Sequence, residues 1–206
     1  MTNRIKAKKK ASRSLGVSLW GRANDPFLKR NYRPGERGAM PRRKTNHAIH
    51  LEAKQQIKKH YANINEKQFK NLFVKGKSIK GDTAENFAGL LESRLDTIVY
   101  RSNIVPTVFA ARQFVSHKHI TVNGKVVNIG SYQIKPGDVI QVREKFRKIP
   151  MVIESMEKME RDVPAYLEVA VKDMSVKFLN VPRISDIPYP FEANFNLIVE
   201  FYSKSL

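Results

Sequence analysis

The run Ala111-Arg112-Gln113-Phe114-Val115-Ser116-His117-Lys118-His119-Ile120-Thr121-Val122-Asn123-Gly124-Lys125-Val126-Val127 holds the signals that decide the fold. Its first half is helical. Val108, Ala111 and Val115 recur at three- and four-residue spacing, and Arg112 and Ser116 stack one turn apart. Thr107 opens that helix after the break Asn103 to Pro106, and it ends near Lys118. Its second half is two short apolar strands around Asn123-Gly124. That dipeptide is a strong hairpin signal, because both central residues of the tight turn need positive φ. Pro136-Gly137 marks a second turn before a strand over 138–142. His117 and Lys118 at the helix end, with Lys125 at the hairpin tip, predict a small α+β unit that takes a polyanion.

Upstream, Asp82 with Glu85 three positions on predicts a capped helix start. Phe87, Leu91, Leu95 and Ile98 then continue as one helix, on which Arg94 and Arg101 share a face at the edge of the apolar stripe. A helix over about 65–75 turns Phe69, Leu72 and Phe73 inward. From His47, the stripe Ile49, Ala53, Ile57 and Tyr61 leaves Lys54, Lys58 and Lys59 off it. The first 46 residues show little periodicity. They carry Lys8-Lys9-Lys10, Tyr32-Arg33-Pro34-Gly35, Gly38, Pro41 and Arg42-Arg43-Lys44, and predict an irregular arm that orders on its partner. Trp20, Phe27 and Tyr32 either stack on bases or pin the arm to the body. Downstream, 166–171 and 176–179 read as strands. Pro182, Pro188 and Pro190 precede a last helix over about 193–202.

The expected fold is α+β. It comprises an extended basic arm (1–46), a helical lobe (47–93) completed by the C-terminal segment, an inserted αα-plus-hairpin module (94–157), and C-terminal strands and helix (158–206).

Charge narrows the function. The 206 residues hold 38 Lys+Arg against 19 Asp+Glu, for a net +19. Successive stretches 1–50, 51–100, 101–150 and 151–206 carry +12, +3, +7 and −3. An even solvating charge would not divide this way, so the body is expected to face phosphate and the acidic tail, with Glu192 and Glu200, a basic protein. No apolar run of about eighteen residues predicts a membrane span, and the start lacks the pattern of a secretory signal. The absence of Cys excludes disulfides and thiolate chemistry. His47 and His50 have ligand-like spacing but lack companions, so neither metal nor cofactor is expected.

Glu92-Ser93-Arg94-Leu95-Asp96, Ala111-Arg112-Gln113, Val115-Ser116-His117-Lys118, Val122-Asn123-Gly124-Lys125 and Pro136-Gly137-Asp138 together resemble an RNA-binding module. It is the module named after small-subunit ribosomal protein four. Pro34-Gly35-Glu36-Arg37-Gly38, Gln55 to Tyr61, Glu66-Lys67-Gln68-Phe69-Lys70, Gly81-Asp82-Thr83 to Leu91 and Leu197 to Lys204 extend the resemblance to that family's bacterial type, collinearly over nearly the whole chain.

The resemblance implies a structural constituent of the small ribosomal subunit in the cytoplasm or an organelle. Such a protein binds the 5′ domain of 16S rRNA early, nucleates the subunit body, and touches small-subunit protein five at an interface that influences accuracy. With proteins three and five it lines the mRNA entry channel, to which Arg42, Arg43 and Lys44 correspond. It also implies that the last helix returns to the first lobe. The residues expected at RNA are Arg37, Arg42, Arg43, Lys44, Lys54, Lys58, Arg94, Arg101, Arg112, Ser116, His117, Lys118, Asn123, Gly124 and Lys125, with Glu192 and Glu200 at a protein interface.

Three departures stand out. The cysteines through which some relatives bind zinc are missing, Val108 stands where a basic residue is frequent, and Asn46-His47-Ala48 replaces a usual Asp-Tyr-Gly.

Two competitors carry RNA-binding features without being ribosomal. A free RNA chaperone has the same composition, and the collinear match weighs against it. Pseudouridine synthases share the module and an Arg-Leu-Asp sequence, which Arg94-Leu95-Asp96 copies. Catalytic copies follow the module and need a large mixed sheet; this one precedes it. Asp96 is therefore expected as a helix-surface carboxylate near Arg94 or Lys80, and the chain as no enzyme.

Overall fold

The computed structural model describes residues 8–40 and 43–204. They form two compact units: one runs up to Asn71 and resumes at Tyr189, and the other is Leu72–Pro188.

In the first unit, α1 (Lys8–Leu15) and α2 (Pro26–Lys29) stand where an irregular arm was expected. The reason is a small apolar cluster. Ala11, Leu15 and Leu19 are buried, with Val17, Trp20 and Phe191 against them. Asp25 caps α2 at the Phe27 amide and also accepts from Ser12 Oγ at 2.8 Å and Ser18 Oγ at 3.2 Å. Trp20 Nε1 donates to the His60 carbonyl at 3.2 Å, so this aromatic pins the segment.

Thr45 caps α3 (Asn46–His60) at the Ala48 amide. Ala53, Ile57 and Tyr61 are buried as expected, but Ile49 is exposed and Lys54 is buried instead. Helix α9 (Phe195–Ser203) packs on α3, the return implied by the family resemblance.

The boundary between the units falls within α4 (Glu66–Ser78), where Phe69 and Phe73 are buried. In the second unit, the single helix expected from 82 to 101 is two: α5 (Thr83–Glu92) and α6 (Leu95–Arg101). Arg94 between them is extended (φ −73°, ψ 139°) and bridges Gln133. Amides of Ile134, Leu95 and Asp96 bond across the break to carbonyls of Ser93, Tyr132 and Gly130. A loop about forty residues downstream therefore takes the place of intrahelical bonds, while the apolar spacing survives because both pieces face one core. Asp82 caps α5 at the Ala84 amide, whereas Glu85 accepts from the Ile184 amide at 2.8 Å rather than closing a capping box.

Helix α7 (Val108–Ser116) starts at its Thr107 cap and runs into β1 (Ile120–Val122) and β2 (Lys125–Val126). Asn123 and Gly124 have φ of 49° and 78°, the turn their chemistry predicts. With β3 (Val139–Val142), β4 (Leu167–Ala170) and β5 (Ser175–Phe178) they make one antiparallel sheet of order β2-β1-β3-β5-β4. Ile140 pairs with both Val122 and Val176, so the C-terminal strands extend the hairpin's own sheet. Helix α8 (Pro150–Lys158) follows β3. Beyond it, Arg161 bonds the carbonyls of Tyr100, Val105 and Pro106, fixing the loop from which α7 starts. The protein is α+β.

Candidate nucleic-acid interface

At the C-terminal end of α7, Ser116 bonds back to the Gln113 carbonyl while His117 and Lys118 lie exposed. Lys118 is left-handed (φ 64°), which turns the chain from helix into β1. Its carbonyl accepts from Arg143 Nη1 at 2.9 Å, and the Arg143 amide donates to the His119 carbonyl at 3.0 Å. The His119 ring is 3.9 Å from that of Phe146 and 5.8 Å from that of His117. Burial first, then the neighbouring His117 and Arg143, push the His119 pKa down, so a neutral ring packs beneath the cationic rim.

Asn123, Gly124 and Lys125 are exposed at the opposite end of β1. Asn123 is engaged in the turn itself. Its side chain donates to Asp138 Oδ1 at 2.8 Å and accepts from the Val139 amide at 2.9 Å. The expected cluster is thus two groups on one hairpin: the α7 end and the tip.

Arg94 and Arg101 are not on the surface. They are 2% and 5% exposed, which corrects their expected placement at a polyanion-facing edge. Arg94 makes two hydrogen bonds to Asp96, at 3.0 and 2.7 Å. Arg101 makes two to Glu92, at 3.1 and 2.8 Å, and Glu92 also accepts from the Tyr166 hydroxyl. At the edge of the apolar stripe both side chains turn inward because a buried carboxylate waits for each, Asp96 for Arg94 at the break and Glu92 for Arg101. Asp96 is likewise no surface carboxylate. It is 2% exposed and receives Arg112 Nε and Nη2 at 3.0 and 2.9 Å beside the Arg94 pair. Arg112 keeps part of its side chain at the surface of α7 while held from behind.

In the first unit, Lys54 and Lys58 bond Glu66 at 2.9 and 2.8 Å. Tyr202 adds its hydroxyl at 2.9 Å, and the Lys54 ammonium sits 4.3 Å from the Phe201 ring centroid. Partial burial pushes the Glu66 carboxyl up, but hydrogen bonds from Lys58, Lys54 and Tyr202 outweigh it and hold it down at about 2. Burial and the same carboxylate push the Tyr202 hydroxyl up. Arg37, Arg43 and Lys44 are exposed, and Arg42 lies outside the described residues. Glu192 and Glu200 are exposed; Glu200 meets His50 Nε2 at 3.2 Å and the Lys204 ammonium at 4.0 Å.

Two family models match this chain, the Ribosomal protein S4/S9 N-terminal domain over residues 3–92 and the S4 domain over residues 93–140. The chain belongs to the ribosomal protein S4 family. It is 53% identical over 205 residues to the small ribosomal subunit protein uS4 of Rickettsia felis, covering 99% of this chain and all of that protein. Against the uS4 of Rickettsia prowazekii it is 51% identical over the same span. The S4-domain match takes in α6, α7, the hairpin and the start of β3, where the two exposed groups lie.

Arg143 was missed by motif reading. Its signal was the basic run Arg143, Lys145, Arg147 and Lys148 directly after β3, which the fold brings back against Lys118. Among the described residues, no helix is long and apolar enough to cross a membrane, and no group of three or more His, Asp or Glu is placed to hold a metal ion.

Proposed function

We propose that this chain is a structural constituent of the small ribosomal subunit in the cytoplasm. It binds the 5′ domain of 16S rRNA directly, nucleates the subunit body, and has no catalytic activity of its own. The observation that carries this is identity of 53% along 99% of the chain to a small-subunit protein. The cationic α7 end and hairpin tip give that identity a physical basis. His117, Lys118, Lys125 and Arg112 engage phosphates, with Arg143 behind them, and in the first unit Arg37, Arg43 and Lys44 engage phosphates of their own. Arg43 and Lys44 border the mRNA path. Exposed Glu192 and Glu200 supply the acidic face for small-subunit protein five, tuning translational accuracy with it.

Lys and Arg contacts release counterions, so log affinity for a 16S 5′-domain transcript falls steeply with log salt, without metal or nucleotide. Co-sedimentation of the endogenous protein with small subunits is the expected companion result. A nearly flat salt response, or binding abolished by chelator, overturns the reading. RNA binding with no co-sedimentation favours a free RNA chaperone. Asp96 bears on catalysis: held by two guanidiniums at 2% exposure, it has no open path to a base. Asp96→Asn leaves every pseudouridine in the cell in place; loss of one with assembly intact would reverse that conclusion.

A further inference from the structure

A cleft of about 490 Å³ opens in the first unit, lined by the end of α1, residues 31–34 and 37–40, Lys44 and Glu52 of α3. That volume falls within the roughly 300–1,000 Å³ of ordinary ligand sites. Its wall is set by backbone. Gly35 has φ of 108°, and Gly38 lies so close to the Arg33 carbonyl that a Cβ there would sit 1.8 Å from the oxygen. The Gly38 amide closes the turn onto the Gly35 carbonyl at 3.2 Å.

Arg13 reaches across from α1. Its Nε and Nη2 donate to the carbonyls of Tyr32 and Arg33 at 3.1 and 3.3 Å, placing its guanidinium 4.8 Å from the Tyr32 ring centroid. One ring face is therefore backed by a fixed cation, yet Tyr32 remains 41% exposed. Glu52 takes Arg33 at 3.4 Å and Lys44 at 2.5 Å, setting the spacing of two cations with a carboxylate they neutralise. Arg37 also lines the cleft and is exposed, and Pro34, Ala39 and Met40 supply apolar wall.

We propose that this cleft receives one unstacked nucleotide of a bound RNA strand, its base on the open face of Tyr32 and its phosphate against Arg33, Arg37 and Lys44. The proposal rests on the RNA-binding reading above and gives it a pocket. An aromatic platform takes any base, because every base has a π-face. Folded RNA offers such bases at loops and bulges. A purely anionic ligand would leave the Tyr32 face and apolar wall unused. The Arg13 contact makes the ring a stiff platform, so little ordering entropy is lost on stacking.

The test uses the full chain and a 16S 5′-domain transcript. Ultraviolet zero-length crosslinking with peptide mapping is expected to place a nucleotide on Tyr32. Tyr32→Leu is expected to weaken binding roughly tenfold, the scale of one lost base stack, with the melting temperature unchanged, whereas Tyr32→Phe binds as the parent. Should Tyr32→Leu melt early, Arg37→Ala reads the same site, lowering the log–log salt slope by about one. A parent-like affinity for Tyr32→Leu, or a parent-like slope for Arg37→Ala, overturns the proposal. So does AMP alone competing at the same concentration as the RNA, which makes the ligand a free nucleotide. These failures leave parent binding intact and steeply salt-dependent, while failure of the RNA-binding reading removes parent binding altogether.

Discussion

Asp96 and Glu66 each gather two cations, and they do so differently. Asp96 is 2% exposed and receives four N–H bonds from the forks of Arg94 and Arg112, two and sixteen residues away. Glu66 has a 45% exposed side chain and takes one ammonium on each oxygen, with a hydroxyl from Tyr202, 136 residues on. A planar guanidinium matches a carboxylate with two parallel bonds, so it can enter a dry site with its hydrogen-bonding capacity met. An ammonium is a compact point charge with three donors, and here Lys54 and Lys58 are covered while the carboxylate they share meets solvent. The second unit thus uses arginine to lock residues close in sequence inside its core. The first sets two lysines from α3 on a half-exposed carboxylate, and the Tyr202 hydroxyl ties the distant C-terminal helix to the same group.

Breaking the buried site has the largest expected effect. Asp96→Ala strands two guanidiniums and should cost about 3–5 kcal/mol, read as a shifted urea midpoint at unchanged slope. A loss below about 1 kcal/mol would mean water replaces the carboxylate, and the contrast with Glu66 would vanish. Arg112→Glu comes next. It sets a second carboxylate beside a buried one, with about 2–3 kcal/mol expected together with weakened RNA binding. Unchanged melting alongside reduced RNA affinity would show that Asp96 needs only Arg94.

At the half-exposed site, Glu66→Gln should cost about 1 kcal/mol, because solvent screens the pair. Its pH signature is sharper than its size. The folded-state value of about 2 lies below the ordinary 4.5, so the folded chain prefers the anion. The contribution is complete above about pH 5 and fades as pH falls toward about 2. Acid titration of stability should therefore converge for the parent and Glu66→Gln over that window; parallel curves would disprove the linkage. The smallest effect is Tyr202→Phe, about 0.5–1 kcal/mol for one hydroxyl, measured by thermal melting.

What sequence made legible was local chemistry. Asn123-Gly124 dictated its turn and Thr107 its cap, because a dipeptide's φ preference or a side chain's reach to a nearby amide needs no distant partner. The break at Arg94 was hidden because its cause is the segment 130–134. A helical wheel drawn through the break keeps Leu95 and Ile98 inside but puts Asp96 on the outer face, and it leaves Arg94 and Arg101 at the edge of the stripe, where nothing local reveals the buried carboxylates that draw them in. Helix α1 was hidden for a related reason: three apolar residues look too few until Phe191 arrives from the other end of the chain. In the candidate interface, the hairpin tip and helix end were readable from their motifs, whereas Arg143 required knowing that β3 runs beside β1.

The joining of α3 with α9 sets a timetable for the newborn chain. Synthesis proceeds from one end, so residues 72–188, contiguous along the polypeptide, are all delivered before Tyr202 is made. Every residue the second unit needs has been made by the time α9 begins. The first must wait, its early helices present but its partner helix unborn, with α3 lacking α9 and Phe69 lacking the Tyr202 ring. The segment made first is therefore the last to mature, and for that interval its lysines lack the tyrosine that later joins them at Glu66.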